Sequence, residues 1–504
     1  MPKSAGQTFT LLIVAGLLTA LAGCGGGGGG GGGGSTPPPT SSTPVARFAY
    51  VANTGDNTVS VYLADNTTGS LRHHGYAMTG DGPTSLTIDP SGQFAYTLNS
   101  NSQDISLFTI DSLAGTLTAA DCDAVSNTSC GTGGTPVSLV FGSNGSFAYV
   151  ANQVSNRITV HQKDPSIGAL GDVNSVQPPV DDTTGGSLNP VNLSLHPSGD
   201  FLYAVHDTTS DVTLYAINSL DGTLSSVTGS PVASGGSGAI DIAITPDGNF
   251  AYVANSTSGD IGLFTVDGSG LLVPNTTSAL LITPGLTPQA LALDPTGQWL
   301  YMISKQAPGS VSLFQIQADG TLVQSNCGGS LTCATGNMPA SIAIDPTGQF
   351  VSVTNESDNT VSLFSIDQNN GQLTSIKEVT SRVSPSAVAY YTDTAEITVT
   401  PRFAYVANFN GASVSSYSIA AGSGSLTAIG TTTTTAGKPT SVNTDILGGY
   451  LYATNEITDN VSAFSINNST GTLSEITDSP FSIETNPNGP ETAPQSISID
   501  PSGR

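Results

Sequence analysis

Apolar residues fall in short bursts along this chain, and the bursts recur. The clearest is Phe48-Ala49-Tyr50-Val51-Ala52-Asn53. It returns at Phe94-Ala95-Tyr96, Phe147 to Asn152, Phe201-Leu202-Tyr203, Phe250 to Asn255, Trp299-Leu300-Tyr301, Phe350, Phe403 to Asn408 and Tyr450-Leu451-Tyr452. Steps between the leading aromatics run from 46 residues (Phe48 to Phe94) to 54 (Phe147 to Phe201). Self-similarity at that period denotes a solenoid, an array or a propeller.

The unit from Thr287 to Asn326 shows how one repeat is built. Pro288 to Leu293 predicts a first strand, A, and Asp294-Pro295-Thr296-Gly297 a tight turn. Trp299 to Ser304 predicts strand B, and Val311 to Ile316, alternating apolar and polar, strand C. Asp319-Gly320 turns the chain, and Thr321-Leu322-Val323 starts strand D. Four antiparallel strands per repeat make the blade of a β-propeller. A and B should pack between neighbouring blades, with C and D as the outer, more solvated pair.

B strands begin at Phe48, Phe94, Phe147, Phe201, Phe250, Trp299 and Phe350. A strands begin near Pro83, Pro136, Pro190, Gly238, Pro288, Pro339 and Pro385. Each set has seven members, offset so that the body starts on a B strand and ends on a lone A strand. That last strand, Pro385 to Tyr391, can join the first B, C and D strands in one sheet, which leaves no open edge. Residues 47–392 are therefore expected to form one closed seven-bladed, all-β propeller. Residues 393–400 break the pattern, and Arg402 to Asn408 then repeats Arg47 to Asn53. Residues 401–504 read as the start of a second propeller of about two blades. They fit a fragment of a longer protein, blades that lean on a partner, or a ring larger than seven, and the fragment is favoured.

Composition agrees with many short strands. Charged residues are 10%, with Gly 59 and Pro 30. The net charge of -26 repels phosphate backbones, so nucleic acid is not an expected partner. Residues 1–24 read as a cleaved export signal: Lys3, an apolar run from Phe9 to Leu21, and Leu21-Ala22-Gly23-Cys24. This ending resembles the lipobox of bacterial lipoproteins, which implies lipidation of Cys24 and the membrane as a partner through that lipid anchor. Gly25, rather than Asp, follows it, which favours the outer membrane. Residues 25–46 form a Gly- and Pro-rich tether, whose flexible part reaches on the order of 25 Å. The remaining cysteines pair by spacing as Cys122 with Cys130 and Cys327 with Cys333, disulfides suited to an exported protein. No His lies near either pair, so no metal site is expected.

The A-to-B and C-to-D turns share one face and are nearly identical between repeats. The B-to-C and D-to-A loops share the other face and vary, and both cysteine loops are expected among them. Function is expected on this variable face. The last position of strand B is usually Asn (Asn53, Asn99, Asn152, Asn255, Asn355), a loop-closing hydrogen-bonding role. Ser304 and His206 are the exceptions. His206, Asp207, Lys305, Glu356 and Arg157, in its B-to-C loop, form the only polar constellation: His206 or Glu356 as base, and Asp207, Lys305 and Arg157 as ligand-binding groups. No cofactor motif occurs, and no cofactor is expected.

The unit Pro-x-Ser/Ala-Ile/Leu-x-Ile-Asp-Pro-Ser/Thr-Gly-x-Phe-Ala-Tyr-Val-Ala-Asn…Thr-Val-Ser-Leu-Phe resembles the lactonase-type seven-bladed propeller family, with its 6-phosphogluconolactonases, and the related surface propellers named for a Tyr-Val-Thr-Asn motif. The resemblance covers nearly everything from Arg47 onward. The family's Asn-Glu after a strand B is matched by Asn355-Glu356, and again by Asn455-Glu456. Where the family has Gly-Pro-Arg-His, this chain reads Met338-Pro339-Ala340-Ser341. Where the family has a His-rich strand start followed by Asp-Leu-Gly, it reads Pro190-Val191-Asn192 and His206-Asp207-Thr208. The expectation is a lipid-anchored cell-envelope propeller that binds a small-molecule, glycan or protein ligand on its loop face. The alternative is a lactone hydrolase using Glu356 and His206.

Overall fold

The computed structural model describes residues 45–65, 67–122, 129–172, 189–275, 280–281, 286–327, 329–393, 403–419, 426–430, 433–444, 450–467, 470–482 and 494. The export signal, Cys24, residues 25–44 of the expected tether and the terminal Asp500 turn lie outside the described residues. The chain divides into two compact units, Met1–Ile397 and Thr398–Arg504.

In the first unit the described strands make seven antiparallel sheets. Their innermost strands are Pro83–Ile88, Pro136–Phe141, Pro190–Leu195, Ala239–Ile244, Pro288–Leu293, Pro339–Ile344 and Pro385–Asp393. Each touches the next, and the last returns to the first, so the ring is closed. The seam lies where the sequence places it. Strand Pro385–Asp393 pairs antiparallel with Val45–Asn53, with Tyr50 opposite Ala389 and Val51 opposite Val388.

Strand B is buried on both faces, which is why it lacks an alternating polar face. Phe48, Tyr50 and Ala52 pack with Leu86, Ile88, Ala95 and Phe108 of the next blade. Ala49 and Val51 pack with Ala343, Val361 and Leu363 of the preceding one. The Phe-Ala-Tyr motif has a specific task between blades. The Tyr50 hydroxyl donates to the Gly115 carbonyl (2.9 Å), in the C-to-D turn of the next blade. Tyr96 to Gly168 (2.7 Å) and Tyr301 to Gly371 (2.8 Å) repeat it. Gly115 has φ +72°, and a Cβ there would stand 2.3 Å from the Phe48 ring. Glycine is therefore required both for its backbone and for the space Phe48 occupies.

Two expectations about the outer blade are corrected. Strand C is not solvated: Thr58–Ala64 and Ser310–Ile316 are mostly buried because adjoining blades cover them. The cysteine loops do not join D to A. Each interrupts strand D itself, between Leu117–Ala120 and Ser129–Gly131, and between Leu322–Ser325 and Thr332–Ala334, all paired to their C strands. Disulfides Cys122–Cys130 and Cys327–Cys333, with Cα atoms 5.3 and 5.4 Å apart, close these breaks.

The second unit has two sheets among its described residues. One holds Phe403–Asn408, Ser413–Ile419 and Leu426–Ala428, with Thr433–Thr434 also on the middle strand. The other holds Pro439–Thr444, Tyr450–Asn455, Asn460–Ile466 and Leu473–Glu475, with Phe481–Ser482 also on its third strand.

Candidate functional site

Strand B ends on a buried amide that clasps strand C. Asn53 donates to Ser60 Oγ (3.0 Å), Asn99 to Ser106 Oγ (2.8 Å) and Asn355 to Ser362 Oγ (2.8 Å). His206 occupies this slot in its blade. It is fully buried, and its Nε2 lies 2.9 Å from Thr213 Oγ1, seven residues on as in the Asn clasps. The ring nitrogen replaces the amide, so His206 stands beneath the loop face and not on it. It is removed from the acid–base set.

Lys305 and Glu356 directly follow two such positions in adjacent blades. Their backbone N–H groups bind the carbonyls of Thr287 and Met338, both at 3.0 Å. These bonds hold each B-to-C loop against a D-to-A loop, so the two loop types do share a face. Lys305 Nζ and Glu356 Oε2 are 2.9 Å apart, with side chains 32% and 40% exposed. This cation and carboxylate meet from different blades and remain open to a ligand.

Asp207 is held separately, accepting from Asn189 Nδ2 (2.9 Å) and Thr208 Oγ1 (3.0 Å). Arg157 is not in a loop. It is the first residue of strand Arg157–Lys163, opposite Asn152, and it is exposed. It forms no ion pair among the described residues. Of the five expected groups the structure thus joins two, Lys305 and Glu356. Among the described residues no three His, Cys, Asp or Glu side chains are grouped to hold a metal ion.

One ionisable group was missed. Asp241 is the third residue of inner strand Ala239–Ile244, where the other six inner strands carry Ser85, Ser138, Asn192, Ala290, Ser341 and Ala387. Its Oδ2 accepts the Leu291 N–H of the next inner strand (2.7 Å), and Oδ1 accepts the Ile242 N–H (2.9 Å). Ser138 Oγ serves the Leu193 N–H in the same way (3.1 Å). Burial pushes the Asp241 carboxyl up to about 7, against the lowering effect of those two N–H donors. The side chain is partly accessible, yet protein surrounds it within the ring. The signal available in sequence was a lone carboxylate in a column of small and neutral residues.

The profile of the family described as "Lactonase, 7-bladed beta-propeller" matches in overlapping segments, residues 41–132, 121–284, 190–328, 287–390 and 378–485. No curated protein matches significantly. Among solved structures, a candidate 6-phosphogluconolactonase from Bacteroides fragilis is 22% identical with a TM-score of 0.58, covering 70% of this chain and 99% of its own. A periplasmic gluconolactonase from Pseudomonas aeruginosa is 20% identical with a TM-score of 0.55, covering 68% and 98%. At these identities the likeness is one of fold.

Proposed function

Since the chain belongs to the lactonase seven-bladed β-propeller family, we propose that its ring hydrolyses a lactone of sugar type on the variable loop face. The observation that carries this reading is the partly exposed Lys305–Glu356 pair, 2.9 Å apart and built from two blades. Glu356 takes a proton from a water as that water's oxygen bonds to the lactone carbonyl carbon. Lys305 balances the charge that develops on the carbonyl oxygen. Collapse breaks the ring C–O bond, and Glu356 returns its proton to the departing alkoxide, giving the open hydroxy acid. Asp207, held rigid by Asn189 and Thr208, offers an acceptor for substrate hydroxyls. Export and lipidation through Cys24 remain part of the proposal, supported by the Leu21-Ala22-Gly23-Cys24 sequence. They are compatible with a fold shared with a periplasmic enzyme.

The test is hydrolysis of simple and phosphorylated aldonolactones by the purified full chain, corrected for spontaneous opening. E356Q should lower kcat/KM by about 10²–10⁴, and K305M should act mainly on kcat. Turnover unchanged in E356Q would refute the assignment. No turnover by the wild-type chain, with capture of a glycan or peptide instead, would establish the binding-scaffold reading.

A further inference from the structure

Single exposed apolar side chains are ordinary on a protein surface. Three in the ring are set apart by where they stand. Leu113 is 80% exposed, Ile167 48% and Leu220 90%. They occupy the C-to-D turns 111–115, 164–168 and 218–222 of three consecutive blades. In the two residues before the turn glycine, the other four blades hold Thr67-Thr68, Gly268-Ser269, Ala318-Asp319 and Asn369-Asn370. The turns are held firmly. Asp111 Oδ1 accepts the Leu113 N–H at 2.8 Å, and Asn218 Oδ1 accepts the Leu220 N–H at 3.1 Å. Gly115, Gly168 and Gly222 rest on Phe48, Phe94 and Phe147 of the preceding blades, where a Cβ would stand 2.3, 2.5 and 2.4 Å from those rings. The repeat thus sets the three apolar side chains at one level, along an arc of the turn face.

The chain enters the ring on this same face. Asn53 lies opposite Pro385 at the loop face, so the Val45 end of that strand, opposite Asp393, lies at the turn face. Beside this entry Arg47 Nη2 donates to the Leu113 carbonyl at 3.3 Å. Residues 25–44 separate Cys24 from Val45, and a stretch of that length spans at most about 70 Å even when fully extended. A lipid on Cys24 therefore brings the turn face to the bilayer first.

Charge narrows the kind of surface that fits. The Ala114 N–H holds the Asp111 carboxyl below its ordinary value, and the Ser166 and Thr223 hydroxyls do the same for Asp164 and Asp221. These carboxylates stand beside the three tips and repel anionic headgroups.

We propose that the turn face docks on the neutral, zwitterionic bilayer that carries the anchor, with Leu113, Ile167 and Leu220 entering its interface. The proposal rests on the anchoring through Cys24 in the functional reading. The lipid supplies proximity, and the apolar tips fix orientation. Docked in this way, the ring presents Lys305 and Glu356 on the face turned away from the bilayer, open to a soluble ligand.

The test couples the full chain from Cys24 onward, through the Cys24 thiol, to a maleimide-bearing lipid in phosphatidylcholine vesicles that contain brominated lipid. Cys24 is the cysteine outside the two disulfides. L220W reports on the turn face, and V154W presents the same indole on the loop face, where Val154 is 74% exposed. Both are corrected for the parent chain, whose single tryptophan, Trp299, is buried. Bromine quenching should be on the order of tenfold greater in L220W than in V154W, and L113S/I167S in the L220W background should remove most of it. Phosphatidylglycerol added to the vesicles should weaken the quenching at low salt. Equal quenching in L220W and V154W, indifference to L113S/I167S, or quenching that rises with phosphatidylglycerol overturns the proposal. The natural anchor is read separately, from the mass of the N-terminal peptide in the cell's membrane fraction. An unacylated Cys24 there refutes the anchor alone, whereas the chemically coupled chain still decides the docking.

Discussion

One heptapeptide, Arg-Phe-Ala-Tyr-Val-Ala-Asn, occurs at residues 47–53 and again at 402–408, with different outcomes. At the first site Phe48 to Asn53 are all fully buried. At the second, Phe403 to Asn408 are half-buried and Val406 is exposed. Both strands pair with their C strands residue for residue, so local sequence suffices for the hairpin. Burial is supplied by an inner strand and by a blade on either side. The hydrophobic gain in this fold belongs to neighbours in space more than to the strand itself.

The comparison can be broken most severely at the seam. Val388 lies 6% exposed opposite Val51. V388D would bury an unpaired carboxylate and should cost about 4 kcal/mol or more, seen as a large fall in the ring's thermal midpoint. If the midpoint holds, the seam does not secure the ring. A paired measurement sharpens the contrast: V51A should destabilise by about 2 kcal/mol through a packing defect, while V406A should stay within about 0.5 kcal/mol. Equal effects in the two variants would mean that the second strand is as well covered as the first.

The smallest expected effect is on pH. All five histidines, His73, His74, His161, His196 and His206, lie in the first unit. Burial lowers the affinity of His73 and His74 for protons, helped by Arg382 and His74 for the first and by Arg72 for the second. A His held below its ordinary pKa favours folding in its neutral form. Its contribution is present above about 6.5 and is lost as pH falls through that value towards the folded-state pKa. Asp241, whose carboxyl is raised to about 7 in the folded ring, acts in the opposite sense over the same range. Relative to the parent chain, H73Q/H74Q should therefore raise the ring's thermal midpoint more at pH 5.5 than at pH 7.5, and an unchanged pH dependence would remove these two residues from the account.

The fold was legible because the period is carried by residues with fixed tasks. Phe and Tyr of strand B serve the glycine turn of the next blade, and Asn closes the hairpin to strand C. The offset between the seven A and seven B strands is enough to locate the seam in the sequence. The buried C strands were less legible. Their alternation, as in Val311-Ser312-Leu313, matches a half-solvated strand, yet Ser312 is covered by the flanking blades. The ion pair between blades was legible where charge breaks the repeat, at Lys305 and Glu356. The pattern misled at His206, which looks like an exception in a column of Asn but performs the same clasp. Asp241 escaped notice because its partner, the Leu291 N–H, lies 50 residues away on another blade.

The register of the seam also decides how the ring carries load. Val45 stands directly opposite Asp393, so the two chain ends of the ring leave it side by side. Tension applied between them does not shear the strand pair along its length. It peels the seam from that corner, one hydrogen-bonded pair after another, and each step opposes the pull with only a small part of the total bonding. A ring that is thermodynamically sealed by nine-residue strands is thus mechanically a zipper with both tabs at the same end.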